Sequence, residues 1–170
     1  MTLEQLNAAD PAAMAEALRR CCGAQAWVAA VQAARPYADR AALFAAADRA
    51  DASLADADWL EAFAHHPRIG GVDALRAKFA ATAAWAGGEQ AGAAAADEYT
   101  LSALAEGNAA YEARFGHIFI VCATGKSAAG MLSLLATRMR NDPAAELRIA
   151  AAEQVKITRL RLAKLLEEAP

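Results

Sequence analysis

Apolar positions along the chain recur at helical spacing and are interrupted by residues that start or stop helices. Asp10 followed by Pro11 is typical of a helix N-terminus, and Gly23 is typical of a helix end. These signals predict a helix over about 11–22. The same pattern predicts two further helices, over 24–34 and 38–50.

The next predicted helix ends at a histidine. Asp56 or Asp58 is the expected cap of a short helix that carries Trp59 and other apolar residues. Pro67 disfavours helical geometry for the residue before it, which is His66. His66 is therefore expected at a helix end and not inside a helix.

The helical pattern weakens in the middle of the chain and then returns. Glycines interrupt short predicted helices around 72–80 and 89–96. A longer helix follows, with Thr100 as its expected cap, and Asn108 is a polar residue on its apolar face. The apolar run 118–122 is too short for a surface helix, and we interpret it as a buried extended connection.

Two more helices complete the predicted fold. Ser127 caps one that ends near Asn141, and the Asp-Pro pair at 142–143 opens another of about 25 residues that ends near Glu168. The prediction is an all-α fold, a helical bundle of about seven to nine helices. With no linker in the sequence, we expect a single domain over 1–170.

Composition supports this fold class and narrows the function. Hydrophobic residues make up 57% of the 170 residues, and alanine, the strongest helix former, is the commonest. This composition excludes disorder and argues against an all-β fold. Lys and Arg number 17 against 20 Asp and Glu, and no basic run occurs, so nucleic acid is not an expected partner.

The sequence also indicates the cellular compartment in which the protein is expected. No apolar run reaches the roughly 18 residues that span a bilayer, and the first residues do not form a signal peptide. The neighbouring Cys21 and Cys22 cannot easily bridge each other, and Cys122 alone builds no disulfide framework. We expect a soluble cytoplasmic protein with reduced thiols and no membrane partner.

The densest cluster of candidate chemistry is the segment His65–Gly70. A histidine held between a helix end, a proline and a glycine is well placed for acid–base work, because its ordinary pKa lies near neutrality. The alternative is a solvated loop without a catalytic role. No His or Cys spacing typical of metal sites occurs and His117 is far away in sequence, so no metal is expected.

Two other motifs are weaker. Gly125-Lys126-Ser127 is similar to the end of a phosphate-binding loop, but the full pattern needs a glycine where this chain has Ile120. A glycine turn with a serine cap explains it better. Glu89-Gln90 follows a pair of glycines and, taken alone, is an ordinary helix start.

Together these pieces resemble a known family. The resemblance covers about residues 60–166 and rests on four segments in the same order, His66-Pro67-Arg68-Ile69-Gly70, Glu89-Gln90-Ala91-Gly92, Asn108-x-x-Tyr111-x-x-Arg114-Phe115-Gly116-x-x-Phe119-Ile120 and Lys156-Ile157-x-x-Leu160-Arg161-Leu162. They are similar to the 2-oxo-4-hydroxy-4-carboxy-5-ureidoimidazoline (OHCU) decarboxylases of urate degradation.

The resemblance implies a fold, an activity and roles for particular residues. It implies an all-α enzyme, usually a homodimer, that converts the small-molecule ureidoimidazoline OHCU to (S)-allantoin and carbon dioxide without a metal or organic cofactor. The implied catalytic residues are His66, the acid or base, and Glu89. The implied substrate-binding residues are Pro67, Gln90, Phe119, Ile120 and Arg161. A serine usually stands three residues before the glutamate, and this chain has Ala86 there.

A second class of function stays open at this point. A non-catalytic all-α ligand-binding or interaction module would explain an alanine-rich bundle equally well. It would leave unexplained why the polar residues His66, Glu89, Asn108 and Arg161 lie in or beside apolar helices. The two hypotheses differ in whether the chain accelerates the reaction of OHCU.

Overall fold

A computed structural model of the chain describes residues 1–68, 71–85 and 98–167, and these residues are entirely helix, turn and loop. The helices are α1 (Leu3–Ala8), α2 (Pro11–Arg19), α3 (Gln25–Ala33), α4 (Arg40–Ser53), α5 (Asp56–Ala64), α6 (Gly71–Trp85), α7 (Glu98–Phe115), α8 (Ala128–Arg138) and α9 (Pro143–Glu167). The predicted all-α fold is confirmed. None of these helices is long and apolar enough to cross a membrane.

Local capping explains why several helices begin where predicted. The Asp10 carboxylate accepts hydrogen bonds from two backbone N–H groups in the first turn of α2, and Pro11 occupies the first helical position. Ser127 caps α8 in the same way by accepting from the Gly130 N–H. The Asp142 carboxylate accepts from the Ala144 N–H at 2.9 Å and opens α9, which has 25 residues.

Other helix limits differ from the prediction. Ala55 is the N-cap of α5, and Asp58 sits one turn inside the helix, where its carboxylate accepts from the Ala55 N–H at 2.8 Å. Thr100 is not a cap either, because α7 already begins at Glu98. Helix α6 continues to Trp85, and α1 was not predicted at all. The predicted short helix around 89–96 lies outside the described residues.

The described chain divides into two compact units. The first contains α1 to α5, Ile120–Cys122 and helix α9 from Leu147 onward. In it, α3 packs against α2, α4 and α5. Its largest fully buried apolar side chains are Leu6, Met14, Leu18, Trp27, Leu43, Phe63 and Leu162. The segment predicted as a buried connection contributes Ile120 and Cys122 to this unit, both buried.

The second unit contains α6, α7, α8 and the first turn of α9. Helix α7 packs against α6 and α8. At Gly107 the α7–α8 contact is so close that a Cβ atom would lie 2.7 Å from a methyl carbon of Leu135. The expectation of one domain over 1–170 stays a prediction.

Candidate functional site

His66 lies directly after α5, and local backbone geometry fixes its place. The helix ends at Ala64, and the backbone N–H of His66 donates to the Phe63 carbonyl at 3.1 Å in a closing turn. Pro67 has no N–H to continue the helix. The His66 ring is half-buried, whereas the neighbouring His65 is exposed. The two adjacent histidines therefore occupy different surroundings.

The His66 imidazole joins a buried chain of polar side chains in the first unit. Its Nε2 atom lies 2.6 Å from Oε1 of Gln154, a fully buried residue of α9. One turn further along α9, the hydroxyl of the fully buried Thr158 accepts from Gln154 Nε2 at 3.2 Å. Thr158 also acts on the Cys22 thiol, whose pKa it lowers. We call His66, Gln154, Thr158 and Cys22 the neutral network.

Cys22 is protonated at the inner end of this network. Burial raises the pKa of its thiol to about 11, and the hydrogen bonds to the Ala24 backbone and to Thr158 oppose that effect only in part. Asp51 is close enough to raise the Cys22 pKa further. Neither carboxylate oxygen of Asp51 has a hydrogen-bond partner among the described residues, and burial raises the pKa of Asp51 to about 7.

Arg161 lies on α9 and borders a separate cavity of the first unit. Its Nη1 donates to the backbone carbonyls of Arg20 at 3.3 Å and Cys21 at 3.5 Å, in the connection that follows α2. The cavity has a volume of about 540 Å³, and its lining includes Arg20, Cys21, Gly23, His65, Arg161 and Lys164. Its one carboxylate, Glu16, is paired with Arg19, which also lines the cavity. Arginine, lysine and histidine side chains at one opening suit an anionic ligand.

Close packing holds one wall of this cavity. A Cβ atom on Gly23 would lie 2.3 Å from Cγ of His65, so only glycine fits there. Arg159 does not line the cavity: its guanidinium forms an ion pair with Asp48 and lies 5.2 Å from the Phe44 ring centroid. The two arginines of the sequence motif therefore point to different surroundings.

The other predicted site residues have separate environments. Pro67 is exposed, Ile120 is buried in the first unit and Phe119 belongs to the second unit. The Phe119 ring is half-buried, 4.6 Å from the Arg138 guanidinium. The predicted Glu89 and Gln90, and Ala86, lie outside the described residues. Within the first unit, the structure brings Arg161 next to His65 and joins His66 to Gln154.

The second unit holds a contrasting cluster. Glu146 at the start of α9 is fully buried and accepts from Arg138 Nε at 2.7 Å, from Asn141 Nδ2 at 2.7 Å and from the Tyr111 hydroxyl. Burial and the bond to Glu146 raise the Tyr111 pKa. We call Tyr111, Arg138, Asn141 and Glu146 the charged network.

Sequence reasoning missed Gln154 and Thr158. Both stand in register with the apolar face of α9, where the buried positions from Leu147 onward are Ala150, Gln154, Thr158, Leu162 and Leu165. Two polar residues four positions apart on such a face are the signal that would have drawn attention to them. Their partner His66 is 88 positions away from Gln154, so the sequence does not reveal the contact.

The described part of the chain offers no ready metal site. A search of these residues finds no group of three or more His, Cys, Asp or Glu side chains that could hold a metal ion. The expectation that no metal is needed stays a prediction.

Comparisons with known proteins agree on one family. The model for OHCU decarboxylase matches residues 7–163. The chain is 39% identical to the uric acid degradation bifunctional protein TTL of Arabidopsis thaliana over 87% of this chain and 46% of that protein, so it spans about half the length of that relative. It is 34% identical to the 2-oxo-4-hydroxy-4-carboxy-5-ureidoimidazoline decarboxylase of Amia calva, over 82% of this chain and 79% of that one.

A solved structure is also similar. The crystal structure of an OHCU decarboxylase in the presence of (S)-allantoin matches with a TM-score of 0.69 and 37% identity, over 88% of this chain and 96% of that chain. The match of the family model extends over most of the sequence, from α1 to the last turns of α9. This chain belongs to the OHCU decarboxylase family.

Proposed function

We propose that this chain decarboxylates OHCU to (S)-allantoin and carbon dioxide. The observation that carries the proposal is the family match over residues 7–163, which includes every residue assigned to the site from sequence. A relative named for this decarboxylase aligns over most of its own length. The proposal extends to the site residues His66, Glu89, Pro67, Gln90, Phe119, Ile120 and Arg161.

The proposed reaction needs a placed proton. The bond between the ring carbon and the carboxylate breaks, carbon dioxide leaves, and the electron pair passes into the ring as an enolate-like state. A proton added to one face of the ring then sets the S configuration. His66 supports the role of proton carrier because a histidine titrates near neutral pH and its ring is held by a hydrogen bond to Gln154.

Arg161 suits the role of an anion-binding group. Its guanidinium is oriented by two backbone carbonyls, which leaves other N–H groups of the fork available for a carboxylate or carbonyl oxygen of the substrate. The surrounding cavity already contains several cationic side chains. We propose that Arg161 contributes to binding more than to the chemical step.

The test is conversion of freshly generated substrate. OHCU is made from urate with the upstream enzymes, and its ultraviolet absorbance is followed with the native chain, with heat-unfolded chain and with buffer. The proposal predicts that only the native chain accelerates the loss of OHCU. Binding of allantoin with no acceleration would instead favour the non-catalytic ligand-binding module.

We also propose a cytoplasmic homodimer that needs no metal. The three cysteines are buried thiols, as expected in a reducing compartment. Light scattering coupled to gel filtration tests the dimer, and a monomer at micromolar concentration would contradict it. Dialysis against EDTA should leave the activity unchanged, whereas loss with EDTA and recovery with zinc would show a metal requirement.

A further inference from the structure

Gln154 is the side chain that contacts the proposed proton carrier from inside the first unit. We propose that Gln154 is a positioning residue that fixes the direction and the tautomer of the His66 imidazole, an inference that rests on the proposed function. The contact is short, at 2.6 Å between His66 Nε2 and Gln154 Oε1. Gln154 itself is fully buried in α9, so its amide is shielded from bulk solvent.

The remaining bonds of the network set the direction of this contact. The Nε2 group of the Gln154 amide donates to the hydroxyl oxygen of Thr158 at 3.2 Å. The amide oxygen of Gln154 therefore faces His66 and can only accept a hydrogen bond. It follows that Nε2 of His66 carries a proton.

An uncharged acceptor such as the Gln154 amide oxygen can hold a group that transfers protons in both of its protonation states. Nε2 is an N–H donor in the imidazolium and in this one neutral tautomer, so the bond to Gln154 persists whichever form the ring takes. The ring keeps its direction through the catalytic cycle. A carboxylate at position 154 would instead favour the imidazolium and raise the pKa of His66 by about 1–3 units.

The charged groups near the neutral network limit how a change in the pH profile of activity can be explained. Among the described residues, the charged groups that act on the Cys22 thiol of this network are Asp51 and Arg161. Cys22 itself has its pKa raised to about 11, so it does not titrate near neutrality. Substitutions at position 154 leave all of these groups in place, so a changed pH profile reports the contact with His66.

The first measurement is the pH profile of kcat/KM for two variants. Gln154→Glu keeps the shape of the side chain, and we expect the limb that reports His66 to move to higher pH by about 1–3 units. Gln154→Leu removes the acceptor, and we expect kcat to fall about 10- to 100-fold with little change in KM. The matched controls are Gln32→Glu and Gln32→Leu, because the Gln32 side chain donates to the Pro11 carbonyl and is not part of the neutral network.

The outcomes separate positioning from a purely structural role. A Gln154→Glu profile that superimposes on that of the native chain overturns the proposal, as does a shift of equal size in Gln32→Glu. Lower thermal stability of Gln154→Leu with an unchanged kcat also contradicts it. Because both substitutions disturb the buried hydrogen bond to Thr158 and can fail to fold, the His66 tautomer measured in the native chain keeps the proposal testable.

A spectroscopic measurement distinguishes failure of this inference from failure of the proposed function. Nitrogen-15 NMR of histidine-labelled protein reports which ring nitrogen of His66 is protonated, with or without catalysis. We expect the Nε2–H tautomer in the native chain and a mixture of tautomers in Gln154→Leu. The same tautomer ratio in both proteins overturns the inference. A native chain that shows the Nε2–H tautomer but does not accelerate loss of OHCU overturns the proposed function alone.

Discussion

The neutral network and the charged network both bury polar side chains, but they satisfy them in different ways. Each network buries polar side chains, and α9 contributes to both. It supplies Gln154 and Thr158 to the neutral network and Glu146 to the charged network. The charged network satisfies its buried carboxylate with three donors from the second unit. The neutral network holds no formal charge at neutral pH when His66 is unprotonated, and it ends at a half-buried ring that can titrate.

This difference predicts that one network matters for stability and the other for activity. A buried ion pair is very costly to break from one side, because the remaining charge has no solvent. A neutral hydrogen bond contributes only about 0.5–1.5 kcal/mol, so it can orient a side chain without governing global stability. We therefore expect changes in the charged network to alter stability, and changes along the neutral network to alter activity.

The largest effect is expected at the outer end of the neutral network. His66→Asn should lower kcat/KM by about 10²–10⁴ while leaving the helical content intact, because it removes the proposed proton carrier from a half-buried position. The measurement is the steady-state rate on fresh OHCU, with circular dichroism as the check on folding. His65→Asn is the comparison variant, and equal losses from the two substitutions would remove the assignment.

The charged network should dominate stability. Glu146→Gln keeps the shape of the side chain but leaves the buried Arg138 guanidinium without its countercharge, so the free energy of unfolding should fall by about 3–5 kcal/mol. Urea unfolding measures this change in the free energy of unfolding. The control is Asp48→Asn, which breaks the exposed pair with Arg159 and should cost less than about 1 kcal/mol. Similar losses from both variants would contradict the distinction between the networks.

A smaller effect is expected at the cavity next to α2. Arg161→Lys keeps the positive charge but loses the planar fork, so KM should rise by up to about tenfold with little change in stability. Arg159→Lys is the matched control, because that arginine pairs with Asp48 and does not line the cavity. A larger rise in KM for Arg159→Lys would mean that the other arginine binds substrate.

A further expected effect is a pH dependence of stability at the inner end of the neutral network. Burial raises the pKa of Asp51 from 3.8 to about 7, with Asp48 adding to the shift and the Trp27 indole and Arg159 opposing it. Between these two values the folded state holds a proton that the unfolded chain has lost, so this group makes stability fall as pH rises through that window.

The variant Asp51→Asn should remove this dependence. In thermal unfolding, the variant and the native chain should have similar stability near pH 3.8. The variant should become increasingly more stable than the native chain as the pH rises to about 7. A constant difference across the window would show that Asp51 does not titrate there.

The sequence was sufficient where structure is decided by neighbouring residues. Cap pairs such as Asp10-Pro11 place a side-chain acceptor for backbone N–H groups, and a fixed backbone angle, within one turn, so the start of α2 and the full length of α9 could be predicted. The short α1 was missed although Thr2 and Gln5 form a capping box there, because six residues are too few for a periodic pattern. Thr100 was wrong as a cap because α7 already begins at Glu98, two residues before it.

The site was predictable only in part for the same reason. The position of His66 at a helix end follows from the proline beside it. Its contact with Gln154 joins residues 88 positions apart, and the place of Arg161 beside the Cys21 carbonyl joins residues 140 apart. Such contacts depend on how helices pack, which single-sequence periodicity does not specify.

The configuration of the allantoin product tests the central claim most directly. OHCU left alone gives racemic allantoin, whereas protonation on one face by a group held in place gives one enantiomer. We predict that chiral chromatography finds an excess of (S)-allantoin with the native chain and a racemic product with His66→Asn. Racemic allantoin from the native chain, formed at the spontaneous rate, would contradict the account.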